Sequence, residues 1–199
     1  MKRTAKGADS KARLIEAAIE LIAENGYRDT KISDIVKAAG LTQAAFYLYF
    51  PSKEAIFRHI LETFHQTLEK HLHPPAIPTR TDEDVLGRMQ QNFEALFALF
   101  QEQPKLSKIF LTEERGIDDV EKLIHQTISD NLQRNQAAGL IRQDASPGLM
   151  ANCMIGMFIQ VAVKEILENG RRPGDVAREF AAILLHGLAS GRPETRGSG

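Results

Sequence analysis

Gly40-Leu41-Thr42-Gln43-Ala44-Ala45-Phe46-Tyr47-Leu48-Tyr49-Phe50 decides the fold. Gly40 and Leu41 form a turn, because glycine reaches backbone angles closed to other residues. Thr42 then offers a side-chain oxygen to cap a helix from Gln43 to about Tyr49, with Phe46 and Phe50 inward, and Pro51 stops it. Upstream, Ile32 to Ala39 reads as a second short helix, with Thr30 as N-cap and Ile35, Val36 and Ala39 inward. Two short helices joined through a glycine fit a helix-turn-helix, yet ordinary bundles hold such pairs too, so spacing alone leaves both readings open.

Outward from this pair, the chain has helical period throughout and no sustained alternation of apolar and polar residues, which predicts an all-α protein. A first helix runs from about Asp9 to Asn25, with Ile15, Ala18, Ile19 and Ile22 on one face, and Gly26 ends it. Ser52 caps a fourth helix, Lys53 to Leu72, striped by Ile56, Ile60, Phe64 and Leu68. The proline-rich HPPAIP segment that follows marks a boundary. Further helices are expected at about Asp82 to Gln103, Lys105 to Leu111, Asp118 to Ala138, Pro147 to Asn169 and Asp175 to Ala189. The predicted organisation is an N-terminal domain over 1–53 that holds this helix pair, a connecting helix over 53–72, a C-terminal domain over 73–190 and a disordered tail over 191–199.

Of the 199 residues, 43% are hydrophobic and 26% charged, as in a globular protein. The net charge is −1, but Met1 to Lys53 carries nine basic and six acidic residues, an N-terminal excess compatible with phosphate contact. No run of 18 apolar residues appears and the N-terminus lacks an apolar signal stretch, so the expectation is a cytoplasmic protein without membrane partners. Cys153 is the single cysteine and is expected as a buried thiol.

Within Thr42 to Phe50, small Ala44 and Ala45 beside Gln43, Tyr47 and Tyr49 suit close approach to DNA. Gln43, one residue inside its helix, can reach a base edge, while hydroxyls of Thr42, Tyr47 and Tyr49 suit phosphates. Lys53 opens the next helix, where free N–H groups and an ammonium together can hold a phosphate. The segment from Ser10 to Leu61 resembles the N-terminal domain of TetR-family transcriptional regulators. The resemblance rests on Gly26-Tyr27, Thr30, Ala39-Gly40-Leu41-Thr42 and Phe46-Tyr47-Leu48-Tyr49-Phe50-Pro51-Ser52-Lys53-Glu54. It implies base contacts from Gln43, Ala44 and Tyr47, and backbone contacts from Thr30, Thr42, Tyr47, Tyr49 and Lys53. Many members carry lysine where this chain has Gln43 and glycine where it has Ala44, so base preference does not transfer. Lys2, Arg3 and Lys6 form a basic arm that could add contacts, although a solvated tail is the plainer reading.

The resemblance further implies a homodimer on a double-stranded, pseudo-palindromic operator, released by a small effector and acting as a repressor. Apolar stretches at 146–167 and 176–189 read as the paired helices of a dimer interface, with Met150, Cys153, Met157, Val161, Phe180, Leu184 and Leu188 as candidates. Phe93, Leu96, Phe97, Phe100, Leu106, Phe110, Met154 and Phe158 are candidates to line a pocket for a hydrophobic effector. No cofactor and no metal are expected. Glu62-x-x-His65, with His59, His71 and His73 nearby, has no second such motif, since His125 follows Glu121 by four. No nucleophile with a base, carboxylate pair or phosphate loop appears, which argues against an enzyme. The alternatives are a helical interaction protein, which leaves Tyr47, Tyr49 and Lys53 unexplained, or a metal-binding bundle.

Overall fold

The structure, a computed structural model, describes residues 2–72, 82–139 and 141–187. The expected linker at 73–78, the tail at 191–199 and Leu188 lie outside them. Every regular element among the described residues is helical: α1 (Lys2–Asp29), α2 (Ile32–Ala38), α3 (Gln43–Tyr47), α4 (Lys53–Leu72), α5 (Asp82–Glu102), α6 (Pro104–Thr112), α7 (Glu114–Ala137), α8 (Pro147–Val161) and α9 (Pro173–His186), with a π-helical turn over Ala162–Glu168.

Helix α1 begins at Lys2, ahead of the expected Asp9, and at Gly26 it kinks rather than stops, with φ 81° and ψ 160°. Its buried face is Leu14, Ala17, Ala18, Ile22 and Ala23, whereas Ile15 and Ile19 of the predicted stripe are half-buried. Predictions for the next turns hold. Thr42 Oγ1 accepts from Ala45 N at 3.2 Å, Ser52 Oγ accepts from Ala55 N at 3.1 Å, and Gly40 has φ 63°. A side chain at position 40 would place its Cβ 2.9 Å from Arg13 Nη2. Arg13 donates there to the Ala39 carbonyl, so the glycine leaves room for the arginine that ends α2. Thr30 is not the N-cap of α2; Lys31 holds that position, with no side-chain cap. Helix α3 stops at Tyr47, two residues early, because Pro51 disfavours helical angles at Phe50.

Proline at the first helical position starts α6, α8 and α9, where its missing N–H has no partner to lose. Helix α7 begins at Glu114, ahead of the expected Asp118, and takes in Gly116. Between α7 and α8, Arg142 holds Asp144 through two bonds of 2.6 and 2.8 Å, and that hydrogen bonding lowers the Asp144 carboxyl from 3.8 to about 2. A depressed carboxylate contributes stability above its unfolded pKa and loses it as pH falls, so this pair is intact at neutrality and released between 3.8 and about 2. An NMR titration of Arg142→Gln should return the Asp144 midpoint to about 3.9; an unchanged midpoint would show that Arg142 is not the cause.

Helices α5 and α9 pack closely, and α8 lies along α7. Between them sits an aromatic cluster: Phe93 meets Phe180 edge-on at 4.7 Å, Phe97 stacks on Phe158 at 5.1 Å, and Phe100 lies 5.8 Å from Phe158. Phe64 of α4 joins Phe110 of α6 at 4.7 Å and Phe100 at 6.1 Å. The stripe Ile56, Ile60, Phe64 and Leu68 is buried as expected. Pro147–Glu168 is long and apolar enough to cross a membrane, yet only 28% of its most apolar window is buried. Its outer side exposes Leu149 and Met157 together with Cys153, which is not the buried thiol expected. α8 turns that side away from the core.

Candidate nucleic-acid interface

Two buried rings set the outer face of α3. Phe46, fully buried, and Phe50, 4% exposed, face each other at 5.9 Å beneath the turn. Helical geometry then sends the positions between them outward. Thr42, Gln43 and Ala44 are exposed, Ala45 half-exposed, and Tyr47 is 55% exposed with its ring edge-on against Phe46 at 5.5 Å. Tyr49 is half-buried and its ring packs on the same core. The structure thus presents Thr42, Gln43, Ala44 and Tyr47 on one open surface.

Leu48 is 81% exposed, an apolar side chain on this polar rim that the sequence reading passed over. Its position two residues after buried Phe46 was the available signal. Lys31, at the start of α2, and Lys37, in its last turn, are also exposed and add positive charge that was not singled out.

Thr30 and Lys53, both expected to meet DNA phosphates, are held by contacts within the fold. Thr30 is 2% exposed and its hydroxyl donates to the Gly26 carbonyl at 2.8 Å. Lys53 Nζ donates to the carbonyls of Tyr27 at 2.7 Å, Arg28 at 3.2 Å and Thr30 at 2.8 Å. It also lies 4.3 Å from the centre of the Tyr27 ring. An ammonium has three donors, and here all three satisfy carbonyls left open where α1 ends. Replacing Lys53 with Met should therefore cost about 1–3 kcal/mol, the penalty of stranding partly buried acceptors. Denaturation of the free protein measures this, and wild-type stability in the variant would overturn the assignment.

The same end of α1 is held from α6. Lys108 Nζ donates to Ala23 O at 2.9 Å, Glu113 Oε1 accepts from Tyr27 N at 3.2 Å, and Lys105 pairs with Glu20. A cavity of about 140 Å³ lies in this junction, lined partly by Ile22, Gly26, Lys108 and Glu113.

Of the residues expected to line an effector pocket, Leu96, Phe97, Phe100, Phe110 and Phe158 are buried, and Phe93, Leu106 and Met154 are half-buried. Phe93, Phe97 and Phe100 each meet Phe158, whereas Phe110 meets Phe64. Within the expected dimer set, Cys153 and Met157 are exposed and Met150, Val161 and Leu184 half-buried. Phe180 is buried within the aromatic cluster, so it faces the interior rather than a partner. Leu149 and Ile183, both exposed, were missed. Among the described residues, no three His, Cys, Asp or Glu side chains cluster as metal ligands.

Residues 14–60 match the family described as bacterial regulatory proteins, tetR family. The chain is 32% identical over 184 residues to the HTH-type transcriptional regulator YdgC of Bacillus subtilis (strain 168), covering 92% of this chain and 94% of that protein. Among solved structures, it resembles the fatty acid degradation regulator FadR from Bacillus halodurans, with a TM-score of 0.74 at 21% identity, covering 90% of this chain and 96% of that one. It also resembles the transcriptional regulator FadR from Bacillus subtilis in complex with stearoyl-CoA, with a TM-score of 0.70 at 20% identity, covering 89% and 99%.

Proposed function

Because the chain belongs to the TetR family of bacterial transcriptional regulators, and is thus a DNA-binding regulator and not an enzyme, we propose that it is a cytoplasmic repressor whose homodimer reads a pseudo-palindromic operator. The observation that carries this reading is the outward set Thr42, Gln43, Ala44 and Tyr47 over the buried Phe46. Gln43 and Ala44 read bases, Thr42, Tyr47 and Tyr49 meet phosphates, and Leu48 offers an apolar contact of the kind a thymine methyl accepts. Thr30 and Lys53 act from behind, by fixing the end of α1 and the start of α4. Residues 1–53 form the DNA-binding unit, α4 connects, and 73–190 form the effector and dimer unit.

The dimer reading is supported by the exposed apolar side of α8 and Ile183 of α9, since contiguous exposed apolar surface marks an interface. A partner helix there also accounts for an apolar, poorly buried Pro147–Glu168 without a membrane. Two copies of α3 would then lie about 34–36 Å apart, one turn of B-DNA.

For the effector, the aromatic cluster of Phe93, Phe97, Phe100 and Phe158 supports an apolar molecule, and the FadR structure with stearoyl-CoA supports one built on an acyl chain. Rings at 4.7 to 6.3 Å already touch, so an acyl chain enters only as α5, α8 and α9 part, which gives it the unequal affinity for two states that release from DNA requires. Selection of bound fragments from genomic DNA, followed by gel shift at low salt, tests DNA binding; no enriched sequence would defeat it. Gln43→Ala should change base preference at one position per half-site rather than weaken all sites equally, as read by the same selection.

A further inference from the structure

Helices α7 and α8 enclose an open cleft of about 650 Å³, apart from the aromatic contacts, lined by Lys122, His125, Gln126, Asn152, Ile155 and Gly156. The two triplets have the same spacing. Lys122, His125 and Gln126 stand at i, i+3 and i+4 on α7, and Asn152, Ile155 and Gly156 at i, i+3 and i+4 on α8, so each presents one helix face.

Among the described residues, Lys122, His125 and Asn152 make no hydrogen bond or ion pair, while Gln126 donates to Asp130 at 2.9 Å. An ammonium, an imidazole and an amide directed to one cleft suit an anion, because charge-assisted hydrogen bonds to carboxylate or phosphate are the strong ones. Gly156 borders open space: a Cβ built there meets nothing within 4 Å. The floor of the cleft is apolar. Ile155 is 4% exposed and belongs to the main core, one turn before Phe158, whose ring stacks on Phe97.

We infer that this cleft takes the anionic head of an amphiphilic effector, with Lys122, His125 and Asn152 holding a carboxylate or phosphate while the apolar tail passes Ile155 towards Phe158. The inference rests on the apolar-effector reading above and adds the head group and the residues that select it. Lys122 supplies the charge, and Ile155 marks where polar recognition gives way to apolar burial.

Calorimetric titration of the full chain with decanoate, decyl phosphate and decanol separates the two readings, because the three share a tail and differ in the head. Decanoate or decyl phosphate should bind about tenfold more tightly than decanol, the worth of one charge-assisted hydrogen bond. Whichever of the two binds more tightly identifies the head as carboxylate or phosphate. Lys122→Gln should remove that advantage and leave decanol affinity unchanged, and Lys122→Arg should restore most of it. Equal binding of all three ligands, or an anion preference that survives Lys122→Gln, overturns the head-group assignment and leaves the apolar-effector reading standing. Failure of all three to bind overturns both.

Discussion

Phe46→Ala should destabilise the protein by about 3–5 kcal/mol, the usual loss when a fully buried phenylalanine is truncated. Phe46 is completely buried and touches both Tyr47 and Phe50, so the cavity would open directly under the reading face. Net stabilities of about 5–15 kcal/mol make such a loss a large share of the whole. DNA affinity should fall with it, because a loosened α3 no longer holds Thr42, Gln43 and Ala44 in one array. Phe46→Leu keeps most of the volume and should cost under about 1.5 kcal/mol. Chemical denaturation of both variants gives the comparison. A Phe46→Ala protein as stable as Phe46→Leu would mean that the ring does not support the turn.

A second large effect is expected at the outer side of α8 and α9. Met157→Arg combined with Ile183→Glu places charge on two exposed apolar positions that the single chain does not need for its core. The chain should remain folded and become monomeric by light scattering. Operator affinity should then fall by about 10²–10⁴-fold, the gain that linking two binding modules ordinarily confers. A variant that stays dimeric would move the interface to another surface. One that is monomeric yet binds the operator as tightly as wild type would show that a single α3 suffices.

Local rules made much of this architecture readable. Thr42, Ser52, Gly40 and Pro51 act on neighbours within a few residues, so their caps and turns follow from composition, and the 3.6-residue period marked Ile56, Ile60, Phe64 and Leu68 correctly. What sequence could not show depends on distance along the chain. Lys53 reads as a free cation because its carbonyl partners lie 23 to 26 residues earlier, and Thr30 reads as a cap because its true partner, Gly26 O, lies across a kink. Cys153 looked buried because apolar neighbours suggest a core, and Ala151, Ile155 and Phe158 do face inward, but Cys153 itself lies on the outer side of α8. Phe180 and Met157 have similar apolar character, and only packing assigns one to the interior and the other to the surface. The π turn at Ala162–Glu168 has no signature in the apolar pattern, since it widens a helix without ending it. The open cleft escaped notice because Lys122 and Asn152 sit on separate helices 30 residues apart.

The hold on the end of α1 has a mechanical consequence. Between Ala23 and Thr30, that segment is gripped by Lys53 of α4, by Lys108 of α6 and by Glu113, which follows α6. A swing of α4 that takes α6 with it thus carries α1, and with it the reading face, as a single piece. With 20 residues at about 1.5 Å each, α4 is a lever of about 30 Å. A tilt of about 6° about one end then displaces the other by about 3 Å. Two subunits tilting in opposite senses would change the separation of their reading helices by about 6 Å, a sixth of a DNA turn, with no bond inside the reading domain broken.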